Sequence, residues 1–475
     1  MIFNSIQFIW TLPAIFLIYY LVVLNFSAKK SLRFGNVLLV IISYCLYLQW
    51  DIKYVFILFG ITLTTYLFAL LFESKFEHGR RHKLLVCGVL VSVLPLLLFK
   101  YLGFISETVK DIMGGQWNEV NLVAPLGISF YSFQALGYLF DVYYKRIKAE
   151  RNFLHYVLFV SFFPQLISGP ISKAGELLPQ IKERTPFDYS KAVVGLKCLL
   201  WGMFMKVVIA DRLGVFVDNV WGNLSNSTSF SCILACIFYS FQIYGDFAGY
   251  SLMAVGVGKI MGFDLINNFN HPYFAISITD FWRRWHISLS RWLKDYVYIP
   301  LGGSRCSKIK NYSNIMTTFL VSGIWHGANW TFILWGVLHG LFQCVEKILG
   351  FQKYDVSSRK IGRFIRIGYT FIAVTFAWIL FRSPDIDTFC AFISNIANFN
   401  GMGFDAKFGA SNALVVLLPL FLLILSGINE EFFNNKYSLF ESKNTWIRWG
   451  GYISVMAMIL LFGMLDSGKF IYANF

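Results

Sequence analysis

Long apolar segments recur from one end of this sequence to the other, and they limit its fold more than any other feature. Residues 7–25 and 54–72, for example, contain no charged side chain. A helix of about 20 apolar residues crosses the hydrocarbon of a bilayer, where every backbone polar group has to be paired within the segment. With 57% hydrophobic and 14% charged residues, the sequence predicts an all-α, polytopic membrane protein.

Basic residues in the short loops indicate how these segments are oriented. Loops 29–33, 75–83 and 145–151 are basic, whereas the loop after residue 101 is mainly acidic. Because basic loops are retained in the cytoplasm, the alternation predicts that these loops face the cytoplasm and that the N-terminus is outside. The formal net charge of +15 fits such loops better than a nucleic-acid-binding surface, so we expect membrane lipids and no nucleic acid as partners.

The predicted membrane segments form a single domain, 1–475. They are 7–25, 36–50, 54–72, 84–101, 123–144, 153–169, 192–210, 230–261, 315–349, 367–381, 413–427 and 451–465. Prolines and glycines near its end predict that 153–169 is a broken or re-entrant helix. Segment 315–349 is too short for two comfortable spans and predicts a tight hairpin or a tilted pair. In total we expect about ten to twelve membrane-embedded helices.

Residues 281–295 are predicted to form one amphipathic helix, which Pro300 brings to an end. At helical spacing, aromatic and basic side chains fall on opposite sides, with His286 at the boundary. The apolar side has Trp282, Trp285, Leu289 and Trp292, and the basic side has Arg283, Arg284, Arg291 and Lys294. The pattern favours the membrane–water border, and a helix that serves only as an interfacial anchor remains open.

His326 lies in the nearly uncharged segment 315–349. A histidine at membrane depth is costly unless it faces a cavity or a partner, so a functional role is the first hypothesis. Asn329 and Trp330 follow at i+3 and i+4 and would share its helix face. A structural histidine bonded to a neighbouring carbonyl remains the alternative. Four glycines at small-xxx-small spacing predict close helix packing here: Gly323, Gly327, Gly336 and Gly340.

Asp246, flanked by glycines in YGDFAGY, is a carboxylate at membrane depth. It is either a member of the site or the partner of a buried arginine or of backbone amides. No metal site is expected, because HExxH and HxH are absent, and His326 and His339 would lie about 20 Å apart along one helix. No G-x-S-x-G motif of a serine hydrolase is present either.

Two long stretches resemble the membrane-bound O-acyltransferase (MBOAT) superfamily. They are YGDFAGYSLMAVGVGKIMGFDLINNFNHPYFAISITDFWRRWHISLSRWLKDYVYIPLGGSR at 244–305 and IWHGANWTFILWGVLHG at 324–340. Segments 125–145, 162–171, 376–385 and 470–475 extend the resemblance over nearly the whole chain. Within the superfamily the sequence is most similar to the bacterial AlgI-like branch of alginate and polysaccharide O-acetylation, and more distantly to the DltB group of teichoic-acid D-alanylation.

The resemblance implies an MBOAT fold, a ring of helices around a central funnel, with the catalytic core at about 120–350. It implies a multi-pass protein of the bacterial inner (cytoplasmic) membrane, with His326 and His286 as the catalytic pair. The acyl donor, acetyl-CoA or an acetylated carrier, would be a substrate met on the cytoplasmic side, with no permanently bound cofactor. Candidate donor or pocket residues are Asn329, Trp330, Trp282, Trp285, Arg283, Arg284, Arg291, Arg305 and Asp246.

A histidine suits a general base, the arginines suit donor phosphates, and Asn329 or an indole N–H suits an oxyanion. The resemblance further implies an outer hydroxyl acceptor and an outer-side partner of the SGNH-hydrolase type, with docking expected near 381–399. A transporter or flippase that uses the histidines as a proton relay is the alternative of another class. It predicts inverted repeats, which the sequence does not show.

Overall fold

The computed structural model describes residues 5–25, 28–73, 78–113, 122–183, 187–351, 360–399, 401, 410–465 and 471. Throughout these ranges the regular structure is helical, without any strand. The predicted all-α class is therefore confirmed. Residues 75–77 of one predicted cytoplasmic loop lie outside the described residues, as do 470 and 472–475 of the matching C-terminal segment.

The α-helices are numbered in chain order. They are α1 (Ile6–Asn25), α2 (Ala28–Leu48), α3 (Ile52–Phe72), α4 (His78–Leu96), α5 (Leu102–Met113), α6 (Ile128–Tyr143), α7 (Phe153–Ser161), α8 (Phe163–Leu166), α9 (Ala174–Lys182), α10 (Tyr189–Met203), α11 (Asp211–Gly222), α12 (Ser229–Ile260), α13 (Ile278–Arg284), α14 (Ile287–Leu293), α15 (Lys308–His326), α16 (Trp330–Ile348), α17 (Lys360–Arg382), α18 (Ile386–Ala397), α19 (Ala410–Phe433) and α20 (Thr445–Phe462).

Long apolar helices confirm the multi-pass membrane protein. Within the described ranges, 9 helical segments are long and apolar enough to cross a bilayer. Two of these segments continue through π-helical turns. Leu97–Tyr101 joins α4 to α5, and Phe204–Ala210 joins α10 to α11. A π turn lets a helix absorb a local irregularity without exposing its backbone groups to lipid.

The chain forms two compact units, one of Met1–Leu199 with Met253–Ile266 and one of Leu200–Leu252 with Asn267–Phe475. All residues proposed from the sequence for the site belong to the second unit. The prediction of a single domain with a core at about 120–350 stays a prediction.

In the first unit, α6 is shorter and more deeply buried than the predicted segment 123–144. It has 16 residues, and nearly all of its side chains are buried. The ring of Tyr138 packs 4.5 Å from that of Tyr156 on α7. The predicted break in 153–169 is confirmed, since Phe162 leaves helical geometry between α7 and α8.

In the second unit, α15 and α16 form the tight hairpin that the sequence predicted. The chain reverses within residues 327–329. A Cβ added to Gly323 would lie 2.4 Å from the Phe332 carbonyl oxygen, and one on Gly336 would lie 2.4 Å from that of Phe319. Only glycine allows the backbones to approach so closely, so the small-residue spacing is used as expected.

Candidate active site

His326 is the last residue of α15 and lies at the turn of the hairpin. Its side chain is 3% exposed, and Gly327 continues in an extended conformation. Three rings surround the imidazole with edge contacts. The ring centroids lie 4.8 Å away for Trp325, 5.0 Å for Trp335 and 5.2 Å for Phe381 on α17. We call Trp325, Trp335 and Phe381 the aromatic cage.

His286 lies at a break in the chain between α13 and α14. Its φ of 44° and ψ of 55° are left-handed, an uncommon conformation for a residue other than glycine. The side chain is 0% exposed and packs 4.6 Å from the ring of Phe247. Such strain at a buried histidine is typical of residues that the surrounding structure holds for a function.

Asn268 fixes the orientation of His286. The backbone N–H groups of Ser288 and Ile287 donate to the Asn268 side-chain and backbone oxygens, at 3.0 and 2.9 Å. Because the Ser288 amide can only donate, the atom it meets is the carboxamide oxygen. That oxygen lies 3.3 Å from Nδ1 of His286. Nδ1 therefore carries the proton, and Nε2 is the basic nitrogen. Asn268 lies in the matching stretch 244–305 but is not among the site residues predicted from the sequence.

Trp325 brings the two histidines into one cluster. Its ring lies 5.8 Å from that of His286 and 4.8 Å from that of His326. His286 and His326, the two histidines predicted from the sequence, thus pack against the same indole ring. They come from different elements of the second unit.

The prediction of one amphipathic helix at 281–295 is wrong. The left-handed His286 divides it into α13 and α14, followed by the π-helical turn Lys294–Tyr298. Its apolar side chains are buried in the unit, with Trp282 at 7% and Trp285 at 1% exposure. Trp285 packs 5.1 Å from Trp378, next to the aromatic cage.

The predicted basic face has separated into exposed and paired arginines. Arg283 and Arg305 are exposed, and Arg291 is half-buried. Arg284 instead donates to Asp280 at 3.1 Å and to Glu431 at 2.8 Å. These carboxylates compensate its positive charge. That Arg284 binds donor phosphates stays a prediction.

Asn329 and Trp330 do not share a helix face with His326, because α15 ends at the histidine. Asn329 caps α16 by accepting from the Thr331 amide at 3.0 Å, and its amide nitrogen donates to the Pro384 carbonyl. Trp330 is 49% exposed. The predicted shared face was wrong because the chain reverses at 327–329.

His339, which the sequence suggests only as a possible metal ligand, belongs to the cluster. Its ring lies 4.8 Å from that of Trp335, which in turn lies 5.0 Å from that of His326. Trp282 donates its indole N–H to Nδ1 of His339 at 3.2 Å. The estimate that His326 and His339 lie far apart along one helix was wrong for the same reason, the reversal between α15 and α16.

Asp246 has a separate environment, which we call the ionic cluster together with Lys206 and Asp211. Nζ of Lys206 lies 2.5 Å from Asp246 and 2.7 Å from Asp211. The Ile471 amide also donates to Asp246 at 2.8 Å. Pairing with a buried cation and a backbone amide, one of the two alternatives from the sequence, is what the structure shows, with lysine in place of arginine.

Trp335 adds a hydrogen-bond donor beside His326. Its side chain is 0% exposed, and its indole nitrogen meets no acceptor within the described part of the chain. A buried donor without a partner is costly and is often retained for function. The cluster therefore combines an imidazole that can accept a proton with an N–H that can stabilise a developing negative charge.

Comparisons with known proteins agree with this chemistry. The family model described as MBOAT, membrane-bound O-acyltransferase, matches residues 144–382. The chain is 37% identical over 392 residues to the probable alginate O-acetylase AlgI of Pseudomonas syringae, with 81% of this chain and 73% of that protein covered. It is 36% identical over 431 residues to the peptidoglycan O-acetyltransferase of Helicobacter pylori, with 85% and 81% covered.

A more distant relative is the teichoic acid D-alanyltransferase of Bacillus subtilis, 28% identical over 366 residues, with 74% of this chain and 87% of that protein covered. The matched family region includes all three histidines of the cluster, His286, His326 and His339, and ends at the last residue of α17. The chain belongs to the membrane-bound O-acyltransferase family, in its alginate O-acetylase-like branch, and is a membrane O-acyltransferase.

Proposed function

We propose that this enzyme transfers an acetyl group from a donor on the cytoplasmic side to a hydroxyl acceptor on the outer side, for O-acetylation of a cell-surface or secreted polysaccharide. The observation that carries the proposal is the placement of His326 in the aromatic cage with His286 on the same indole. The relatives named alginate O-acetylase and peptidoglycan O-acetyltransferase support the acetyl group and the polymer class.

His326 acts as the general base. Its imidazole takes the proton of the acceptor hydroxyl as the oxygen attacks the acetyl carbonyl carbon. The new O–C bond forms, the C–S bond of the thioester breaks, and the proton passes from the imidazole to the departing thiolate. The three rings of the aromatic cage pack around this imidazole at centroid distances of 4.8, 5.0 and 5.2 Å.

Trp335 supplies the donor for the tetrahedral oxyanion. Its ring lies 5.0 Å from that of His326, and its buried N–H meets no acceptor among the described residues. The side chain of Asn329, in contrast, is already engaged as a helix cap. Of the two donors that the sequence suggested, the geometry supports the indole. Trp335→Phe keeps most of the ring and removes the N–H, so we expect acetyl transfer to fall by about 10²–10³-fold.

Membrane location and orientation are proposed from the basic loops. The enzyme lies in the bacterial inner membrane with its N-terminus outside, so that the basic segments 29–33, 75–83 and 145–151 face the cytoplasm, the first at the start of α2 and the second extending into α4. The exposed Arg283 and Arg305 remain candidates for the phosphates of acetyl-CoA.

An outer-side protein of the SGNH-hydrolase type completes polymer modification. The proposed docking region at 381–399 is partly occupied by this chain, since Phe392 of α18 stacks 4.2 Å from Trp221. Among the large apolar side chains of this region, Ile386 is 41% exposed and Phe399 is 75% exposed. Docking is therefore proposed at the two ends of α18 and not along its buried face.

Sided membrane vesicles test the direction of transfer. Vesicles with the cytoplasmic face outward receive labelled acetyl-CoA outside and contain the purified partner and polysaccharide inside. We expect label on the enclosed polysaccharide, and none in right-side-out vesicles given the same external donor. Label that forms only when donor and acceptor share a side would overturn transmembrane transfer, and full labelling without the partner would overturn its role.

A further inference from the structure

A cavity of about 160 Å³ lies in the second unit, outside the aromatic cage. Its wall is mainly aromatic, with Trp201, Phe241, Tyr244, Tyr273, Phe274 and Phe371. A cavity of about this volume holds one benzene-sized molecule, so it accepts a segment of about six carbon atoms. The cavity is therefore suited to part of an alkyl chain and not to a bulky substrate.

Helix α19 places this cavity at the level of the acyl chains. Leu423 and Ile424 line it, and both belong to the candidate span Val415–Phe433. Glu430 also lines it, about 10 Å further along the helix and close to the end of that span. The cavity thus has an apolar part at hydrocarbon depth and a carboxylate at the border, the polarity of a membrane lipid.

At the polar end of the cavity, the side chains of His271 and Glu430 are paired. Nε2 of His271 lies 2.9 Å from the Glu430 carboxylate, with side-chain exposures of 21% and 42%. His271 is held there in a left-handed conformation with φ of 44°, a strain that costs about 1–3 kcal/mol and is retained only when neighbouring contacts impose it. Because both side chains are partly exposed, the pair is accessible at the mouth of the cavity.

Gly427 has no side chain, which keeps open the space between the aromatic part of the cavity and the His271–Glu430 pair. A Cβ at this position would lie 2.9 Å from Cε2 of Phe274 and 3.6 Å from Nδ1 of His271. Any larger side chain would enter the region between the aromatic wall and the carboxylate. The shape of the cavity thus depends on one glycine.

We propose that this cavity binds a phospholipid whose headgroup carries a primary ammonium, as in phosphatidylethanolamine. A segment of one acyl chain fills the aromatic part, and the ammonium donates to Glu430. A carboxylate has enough lone pairs to accept from the ammonium and from His271 together. The same carboxylate repels headgroups with net negative charge, and a choline headgroup has no N–H to donate.

The cavity also contacts the elements that hold the catalytic cluster. Tyr244 and Tyr273 line it, and their rings lie 6.2 and 6.1 Å from Trp285, the residue before His286. The bound lipid therefore supports the wall on which α13 and the His286 break rest. This role is independent of the identity of donor and acceptor.

Lipid retention measured by native mass spectrometry of the full-length protein in detergent tests the site. The probes are ethanolamine, glycerol and choline phospholipids with identical acyl chains. We expect about tenfold stronger retention of the ethanolamine lipid, the effect of one charge-assisted hydrogen bond. Equal retention of the three lipids by the wild-type protein overturns the proposal.

Two variants separate the headgroup from the chain. Glu430→Gln should lose the ethanolamine preference, and Gly427→Leu should lose retention of all three lipids. Gly368→Leu on α17 is the matched control, because a Cβ there meets nothing within 4 Å. Unchanged retention by folded Gly427→Leu overturns the cavity assignment. Should that variant not fold, Glu430→Gln decides, and a preserved ethanolamine preference overturns the proposal.

Discussion

Two groups of buried polar side chains in the second unit differ in what surrounds them. In the ionic cluster, Lys206 and Asp246 are each 1% exposed and lie 2.5 Å apart, so opposite charges compensate one another. In the aromatic cage, His326 is bounded by rings. The difference shows how buried polar residues with a structural role can be distinguished from those with a catalytic role. Buried charges that compensate one another hold helices together. An imidazole packed among aromatic rings can instead exchange a proton with a substrate.

The largest expected effect is on activity at His326. His326→Gln should reduce acetyl transfer by about 10²–10⁴-fold because no base takes the hydroxyl proton. The thermal unfolding midpoint should stay close to that of the wild type, since glutamine fills most of the site. His82→Gln is the control, because His82 is exposed and belongs to the first unit. Near-normal turnover of labelled acetyl-CoA by His326→Gln would remove His326 from its assigned role.

The ionic cluster should show the opposite behaviour. Lys206→Met leaves two carboxylates buried without their cation and should cost about 3–5 kcal/mol of stability. The measurement is thermal unfolding in detergent, followed by the loss of monomeric protein. Lys191→Met is the matched control, since that lysine is 36% exposed in its pair with Asp264. If Lys206→Met and Lys191→Met unfold at the same temperature, the ionic cluster has no structural role.

Asn268 lies between these extremes. Asn268→Ala leaves the Nδ1–H of His286 and the Ser288 amide without their shared acceptor, at a cost of about 1–3 kcal/mol. We expect a loss of roughly tenfold or more in kcat, with KM for the donor little changed. Asn268→Asp keeps an acceptor oxygen and should retain more activity than the alanine variant. Equal losses in both variants would show that the oxygen does not orient His286.

The smallest effect is expected at the exposed ion pair of Asp264 in the first unit. The hydrogen bond from Lys191, with help from Lys259, holds the pKa of the Asp264 carboxyl below its usual value. A carboxyl with a lowered folded-state pKa stabilises the protein above its unfolded pKa, and this contribution is lost as pH falls through the folded value. The pH range in which this contribution to stability is lost therefore lies below about pH 4.

Solvent screening keeps that contribution at about 0–1 kcal/mol, because the Asp264 side chain is 50% exposed. The measurement compares the acid unfolding of Asp264→Asn with that of the wild type. Curves that separate by several kcal/mol would mean that exposure does not distinguish this pair from the ionic cluster.

Much of the helical organisation was predictable from local pattern. The apolar segments, the break near Phe162 and the hairpin at 315–349 were all expected and are present. They follow from a constraint that acts on each segment separately, since backbone groups in lipid have to be paired within a helix. Glycine spacing likewise predicted the close approach at Gly323 and Gly336 because the effect depends on one missing side chain.

The sequence by itself determined that this is a multi-pass membrane protein and where most of its spans lie. It also pointed to His286 and His326 as candidate catalytic residues. Only the tertiary structure decided that His286 breaks its helix, that Arg284 is paired with Glu431, and that Asp246 binds Lys206. The partners in these contacts lie far apart in sequence, so periodicity carries no information about them. The left-handed turn at His286 is stabilised by Asn268, which lies 18 residues away and whose contact with His286 no periodicity predicts. Local pairing of the backbone is encoded segment by segment, whereas compensation of a buried charge depends on which segments meet.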